Sequence, residues 1–202
     1  MSGQIFDAAS SNSAVWAVVL GAVLATMGGF VATQMERIVE HRRRERNAAL
    51  FFGELLTTFQ IILYHVHNTH GRGDPFGPIT LRMLKSARKE IEIYDRNRES
   101  LFDLRHSDLR ARIQTLIIRI TMPIEGIFDA SEEILRCQDQ LRDAGAIPRP
   151  DLDARIASLR EQRDGGYDFI METAEQLPSI IRDLEPLAHH SFRNIDEIVR
   201  NF

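Results

Sequence analysis

Three observations predict an all-α fold: an N-terminal transmembrane helix continuing into an up-down cytoplasmic bundle of about four helices. Residues 14–33, AVWAVVLGAVLATMGGFVAT, contain no charged side chain. Downstream, apolar residues recur at three- and four-residue spacing, the period of a helix with one buried face. Alternating β-branched runs joined by hairpin turns, the signature of strands, are missing, and no 20–50-residue repeat is visible.

At about 1.5 Å per residue, residues 14–33 would form a helix about 30 Å long, the thickness of a bilayer's hydrocarbon core. A cleaved secretory signal is the first alternative. It needs a basic start and a short apolar core, but residues 1–12 hold no Lys or Arg, only Asp7, and the apolar run is long. A helix buried in a soluble core is the second. It needs apolar surroundings on every side, which a chain of 202 residues rarely supplies.

Charge sets the expected orientation. Arg37, Arg42, Arg43, Arg44 and Arg46 follow the apolar run within about 15 residues, where basic residues hold a helix end in the cytoplasm. The domains expected are a short extracytoplasmic N-terminus (1–12), a transmembrane helix (13–35), a basic juxtamembrane helix (36–47) and a cytoplasmic helical bundle (48–202). Trp16 suits an interfacial anchor at the outer end. Cys137 is the single cysteine, so no internal disulfide can form, as in a reducing compartment. The expected location is therefore the inner membrane, crossed once.

Two features of this segment suggest partners. Ala17, Gly21, Ala25, Gly29 and Thr33 recur every fourth residue and form one ridge of small side chains. Such a ridge lets two backbones approach in lipid and implies pairing with a second copy or another membrane helix. The arginine cluster could also attract anionic lipid, at roughly 1 kcal/mol per basic residue near the surface. Glu36, Glu40 and Glu45 dilute that charge, so fixing topology is its main expected role. Residues 48–66 are a weaker candidate for a second span, which would place the C-terminal domain outside the cell. Glu54 lies inside that run, and a charge at mid-bilayer costs roughly 2.5 kcal/mol or more. No Gly or Pro lies between Gln34 and Ala48 to turn the chain back.

The bundle elements follow in order. Ala48, Phe52, Leu55, Phe59, Ile62 and Val66 are spaced 4-3-4-3-4, and Ala49, Leu56 and Leu63 widen the face. With no proline between this face and the apolar run, residues 13–69 read as one nearly continuous helix. Residues 71–78, GRGDPFGP, form a loop. The Arg72-Gly73-Asp74 tripeptide within it is a coincidence if the loop is cytoplasmic. A second helix is expected over 79–101, with Leu84, Ala87, Ile91 and Tyr94 facing inward, and a turn at 105–107. Ser107 would cap a third helix over 108–143, with Asp108 favouring its dipole. Its stripe is Leu109, Ile113, Leu116, Ile120, Ile124, Ile127, Ile134 and Leu141, and Pro123 should kink it near 119–121. After a loop at 144–150, Asp151 would cap a fourth helix to about Ala188, built on Leu152, Ile156, Leu159, Ile170, Leu177, Ile181 and Leu184. Gly165, Gly166, Pro178 and Pro186 should bend or break it. A short helix carrying Phe192, Ile195, Ile198 and Val199 closes the chain. Short connections favour antiparallel neighbours, and the longer third and fourth helices should project as a hairpin tipped near Gly145.

Little in the chain points to chemistry. The formal charge is −4 with 27% charged residues, which excludes the strongly basic surface of a nucleic-acid binder. His67 and His70 share a helix face while His65 points away, and His189 and His190 end the fourth helix. Histidines at helix C-termini serve the dipole, and no paired Glu-x-x-His motif of the di-iron type exists. Cys137 flanks an apolar stripe and reads as a small buried hydrophobe. Tyr94, Asp95 and Asn97 read as packing and capping. No phosphate-binding loop, nucleophile elbow or zinc spacing occurs. No catalytic residue, metal ligand or cofactor site is expected.

Residues 91–104, IEIYDRNRESLFDL, with Ile93, Tyr94, Asn97 and Leu101 in an Ile-Tyr-x-x-Asn-x-x-x-Leu run ahead of the Leu-rich 109–117, resemble uncharacterised bacterial proteins. Those carry one N-terminal span and a cytoplasmic helical domain. The resemblance implies that architecture and carries no activity.

The leading expectation is a non-enzymatic, membrane-anchored interaction or scaffold module with a cytoplasmic protein partner. One alternative is an oligomeric membrane effector or channel component assembled through the small-residue ridge. Another is a metal-dependent enzyme using the bundle histidines.

Overall fold

Helices account for the regular structure of residues 4–72, 74–145 and 147–192, which the computed structural model describes. They are α1 (Gln4–His70), α2 (Pro78–Arg96), a 3-10 helix (Arg98–Asp103), α3 (Ser107–Asp143), α4 (Pro150–Ala174) and α5 (Leu177–Ala188). No strand occurs among the described residues. The chain divides into two units, residues 1–44 and 45–202.

The second unit is built on the apolar stripes. In α1, Ala48, Ala49, Phe52, Leu55, Leu56, Phe59, Leu63 and Val66 are buried, while Ile62 is only half-buried. The centre of the buried face is thus displaced toward Ala49, Leu56 and Leu63. Leu84, Ala87, Ile91 and Tyr94 of α2 join the same core, as do Leu109 to Ile127 of the α3 stripe. A second, smaller core lies farther along α3. There Ala130, Ile134 and Cys137 meet Leu152, Ile156 and Leu159 of α4. The C-terminal half of α3 therefore packs on the N-terminal half of α4, an antiparallel hairpin. Cys137 is buried in it with its thiol free.

Residues 48–66, weighed above as a second span, have this buried protein face. Ala48, Ala49, Phe52, Leu55, Leu56, Phe59, Leu63 and Val66 of that stretch all lie in the main core.

Helix ends depart from the sequence expectations in four places, each for a local reason. α2 stops at Arg96 rather than Leu101, because the Asn97 amide donates to the Ile93 carbonyl at 2.8 Å and ends the helix. The chain then tightens into the 3-10 turn. His106, not Ser107, is the N-cap of α3, and Ser107 is already helical. Pro150 opens α4, a position where its missing N–H costs nothing. Asp151 is therefore in the first turn, paired with the Arg149 guanidinium at 3.0 and 2.8 Å, and does not cap. Finally, the expected fourth helix is two helices broken at Glu175–Gln176. Gly165 and Gly166 do not break it. A Cβ at Gly166 would meet Ile127 Cγ1 at 3.4 Å and the Pro123 carbonyl at 3.7 Å, ordinary van der Waals contacts where α4 packs on α3, so an alanine would fit there. Pro178 makes the break, since its ring clashes with the carbonyl four residues earlier. α3 runs through Pro123 as one helix.

The chain beyond α5 turns back onto α1. His189 takes a left-handed conformation (φ 49°), and Glu185 accepts hydrogen bonds from the Phe192 N–H at 3.0 Å and the Ser191 hydroxyl at 3.2 Å. The Arg46 Nε donates to the Ala188 carbonyl at 3.2 Å. The Phe192 ring then fills the space over Gly53 that any larger side chain would occupy. Ile195, Ile198 and Val199 lie outside the described residues.

Gly53→Ala sets two effects against each other. Alanine gains about 1 kcal/mol of helix propensity. Evicting the Phe192 ring exposes a side chain whose burial stabilises by about 1.5–3 kcal/mol. The expected net loss is about 1 kcal/mol in urea unfolding, and Phe192→Ala should then cost little more in the Gly53→Ala background.

Candidate functional site

Two regions hold the residues that could serve function. The first is the N-terminal half of α1. Wherever its side chains are described between Leu20 and Arg44, they are exposed. These include Leu20, Leu24, Met27, Phe30, Val31, Met35, Ile38 and Val39, so large apolar side chains continue two turns past Thr33. Water-exposed apolar surface on this scale is abnormal for a soluble protein and calls for an apolar surround. Leu24–His70 is, among the described residues, long and apolar enough to cross a membrane. Its exposed apolar part is the stretch to Val39, because the part beyond Ala48 lines the core.

The predicted ridge lies on this helix. Gly21, Ala25, Gly29 and Thr33 are exposed, and the side chain of Ala17 lies outside the described residues. Nothing comes within 4 Å of where a Cβ would stand on Gly21 or Gly29. Thr33 folds its hydroxyl back onto the Gly29 carbonyl at 2.9 Å, which satisfies it within the helix. Arg37, Arg42, Arg43, Arg44 and Arg46 are all exposed. Arg44 pairs with Glu40 at 2.9 Å, and Arg46 reaches Ala188. Arg37, Arg42 and Arg43 form no ion pair among the described residues. At 100° per residue, Arg37 and Arg44 share one side of the helix, Arg42 and Arg46 the opposite side, and Arg43 a third. The cations therefore encircle the helix rather than line one side of it.

The second region joins the end of α1 to α4, and sequence reasoning missed it. His67 Nδ1 and the Tyr167 hydroxyl are 3.0 Å apart. The His70 ring stacks on Tyr167 with centroids 3.7 Å apart and planes 6° from parallel. Phe76 stands edge-on to both rings, and the Arg163 guanidinium sits 3.9 Å over the Phe76 face. Burial pulls the His70 pKa down from its ordinary value, against the opposing pull of Asp164 and Asp168. Burial likewise raises the Tyr167 phenol and lowers Arg163. The cluster ties together α1, the loop after it and α4. Its aromatic contacts stabilise by about 0.5–1.5 kcal/mol each. The shared face of His67 and His70 was legible, but their common partner, about 100 residues away, was not.

His189 and His190 lie by contrast at the opposite end of the Glu45–His70 segment, beside Arg46 and Gly53. The two histidine groups are not brought together. No group of three or more His, Cys, Asp or Glu side chains is placed to hold a metal among the described residues. No protein-family model, curated protein or solved structure matches this chain.

Proposed function

We propose that this protein is a membrane-anchored helical interaction module. One helix, over residues 13–35, crosses the inner membrane with the N-terminus outside, and the up-down bundle of residues 48–202 is held at the cytoplasmic face. The observation that carries this reading is the exposed apolar surface from Leu20 to Val39, followed at once by arginines around the whole helix. In water that surface is unfavourable at about 25 cal/mol per Å². In a bilayer it is matched, and the arginines meet lipid phosphates and bias the downstream end inward. The bundle supplies a rigid helical surface for a cytoplasmic protein.

Carbonate extraction of membranes from cells expressing the full chain tests the reading. The protein should stay in the lipid pellet, while a fragment from Asn47 onward should be soluble and helical. Full-length protein that stays in the supernatant as a monomer removes the proposal.

A further inference from the structure

We infer that the end of the bundle carrying Phe102 rests on the lipid bilayer, with Phe102 seated in the headgroup layer. The inference rests on the membrane-anchored reading and adds a second point of contact to it.

Three observations lead there. The first is the exposure of Phe102, 75% in a turn that is otherwise well anchored. Leu101 and Leu104 on either side of it are buried in the core. The Arg110 guanidinium donates to the carbonyls of Leu104 and Arg105, which fixes the turn from below. A phenylalanine in such a turn is presented outward by rigid backbone, not left out by fraying.

The second is what the turn is tied to. Glu45, nearly buried, accepts a hydrogen bond from the Arg105 N–H at 3.1 Å, and its other oxygen lies 3.5 Å from the Arg105 Nε. Glu45 is where the chain enters the bundle. Only nine residues separate it from Met35, the last residue before the first downstream charge. Even fully extended, that stretch spans at most about 35 Å. The turn bearing Phe102 is therefore tied to the residue at which the chain enters the bundle.

The third is composition. Phe102 lies among Arg98, Glu99, Asp103, Arg105 and His106, near charge balance. An exposed phenylalanine in a segment near charge balance enters the interface of any phospholipid, zwitterionic ones included, through burial of its apolar ring rather than through charge. A single ring is enough because the anchor already holds the bundle at the surface, which makes the second contact intramolecular.

The test uses the full chain in phosphatidylcholine nanodiscs, with Cys137→Ala as background. An environment-sensitive fluorophore is attached singly at Val31→Cys, Asp103→Cys or Leu135→Cys, and lipid-borne spin labels serve as quencher. Leu135 is exposed and lies about 40 Å along α3 from Ser107. We expect more than half the emission to be quenched at positions 31 and 103, and less than a tenth at 135. Phe102→Asp should bring quenching at 103 down to the level at 135. Quenching at 31 without quenching at 103 overturns the contact while leaving the anchor intact. Quenching at 103 that survives Phe102→Asp also overturns it. No quenching at 31 removes the anchor, and this inference falls with it.

Discussion

Leu24→Arg is expected to move most of the full chain out of the membrane fraction. Leu24 is at the middle of the uncharged run, with 65% of its surface exposed. Arginine at the centre of a spanning helix costs about 2.5–3.5 kcal/mol, and the lost leucine adds about 0.5 kcal/mol. At about 1.4 kcal/mol per factor of ten, the insertion equilibrium shifts by at least 100-fold. Membrane flotation with quantitative blotting measures it. Leu135→Arg adds the same charge at an exposed bundle position and should leave the distribution unchanged. Equal behaviour of the two variants would mean that residues 14–33 do not face lipid.

Phe52→Ala should cost about 3–5 kcal/mol of bundle stability. The ring is fully buried, between edge contacts with Phe51 at 5.1 Å and Tyr94 at 6.0 Å. It links the α1 face to α2, so the cavity left behind opens in the main core rather than at its margin. Domains of this kind hold about 5–15 kcal/mol in total, so the variant loses a large share of it. The melting temperature should fall by about 10 °C, at 2–4 °C per kcal/mol for this size. Urea unfolding of the full chain in micelles, followed by far-ultraviolet circular dichroism, reads the loss. Phe102→Ala deletes the same ring from an exposed site and should stay within about 0.5 kcal/mol. Similar losses from both would contradict the burial pattern on which the bundle is built.

Together these substitutions separate two kinds of apolar surface that composition alone does not distinguish. Residues 14–33 and 48–66 are both rich in large hydrophobes. The second stretch interrupts them with Glu54, Gln60 and His65 and packs its apolar side on protein. The first has apolar side chains all round and meets no protein where it is described.

The buried faces were legible in advance because helical period is a local property. Every residue named for the α2 stripe is buried, and so are Leu152, Ile156, Leu159, Ile170, Leu177, Ile181 and Leu184. Each follows from spacing within a dozen neighbours. Helix ends were less legible. A side chain such as Asn97 competes with the backbone for one carbonyl, and small differences in hydrogen bonding decide the outcome.

Sequence by itself thus determined the all-α class, the apolar faces and the uncharged run with its arginine border. Tertiary structure alone decided which distant side chains meet: Tyr167 with His67 and His70, Phe192 with Gly53, Arg105 with Glu45. The reason is physical. A stripe records only that a face must leave water, an effect without direction, whereas a ring stack or an ion pair needs the relative placement of two helices. That placement arises from the packing of all the faces at once.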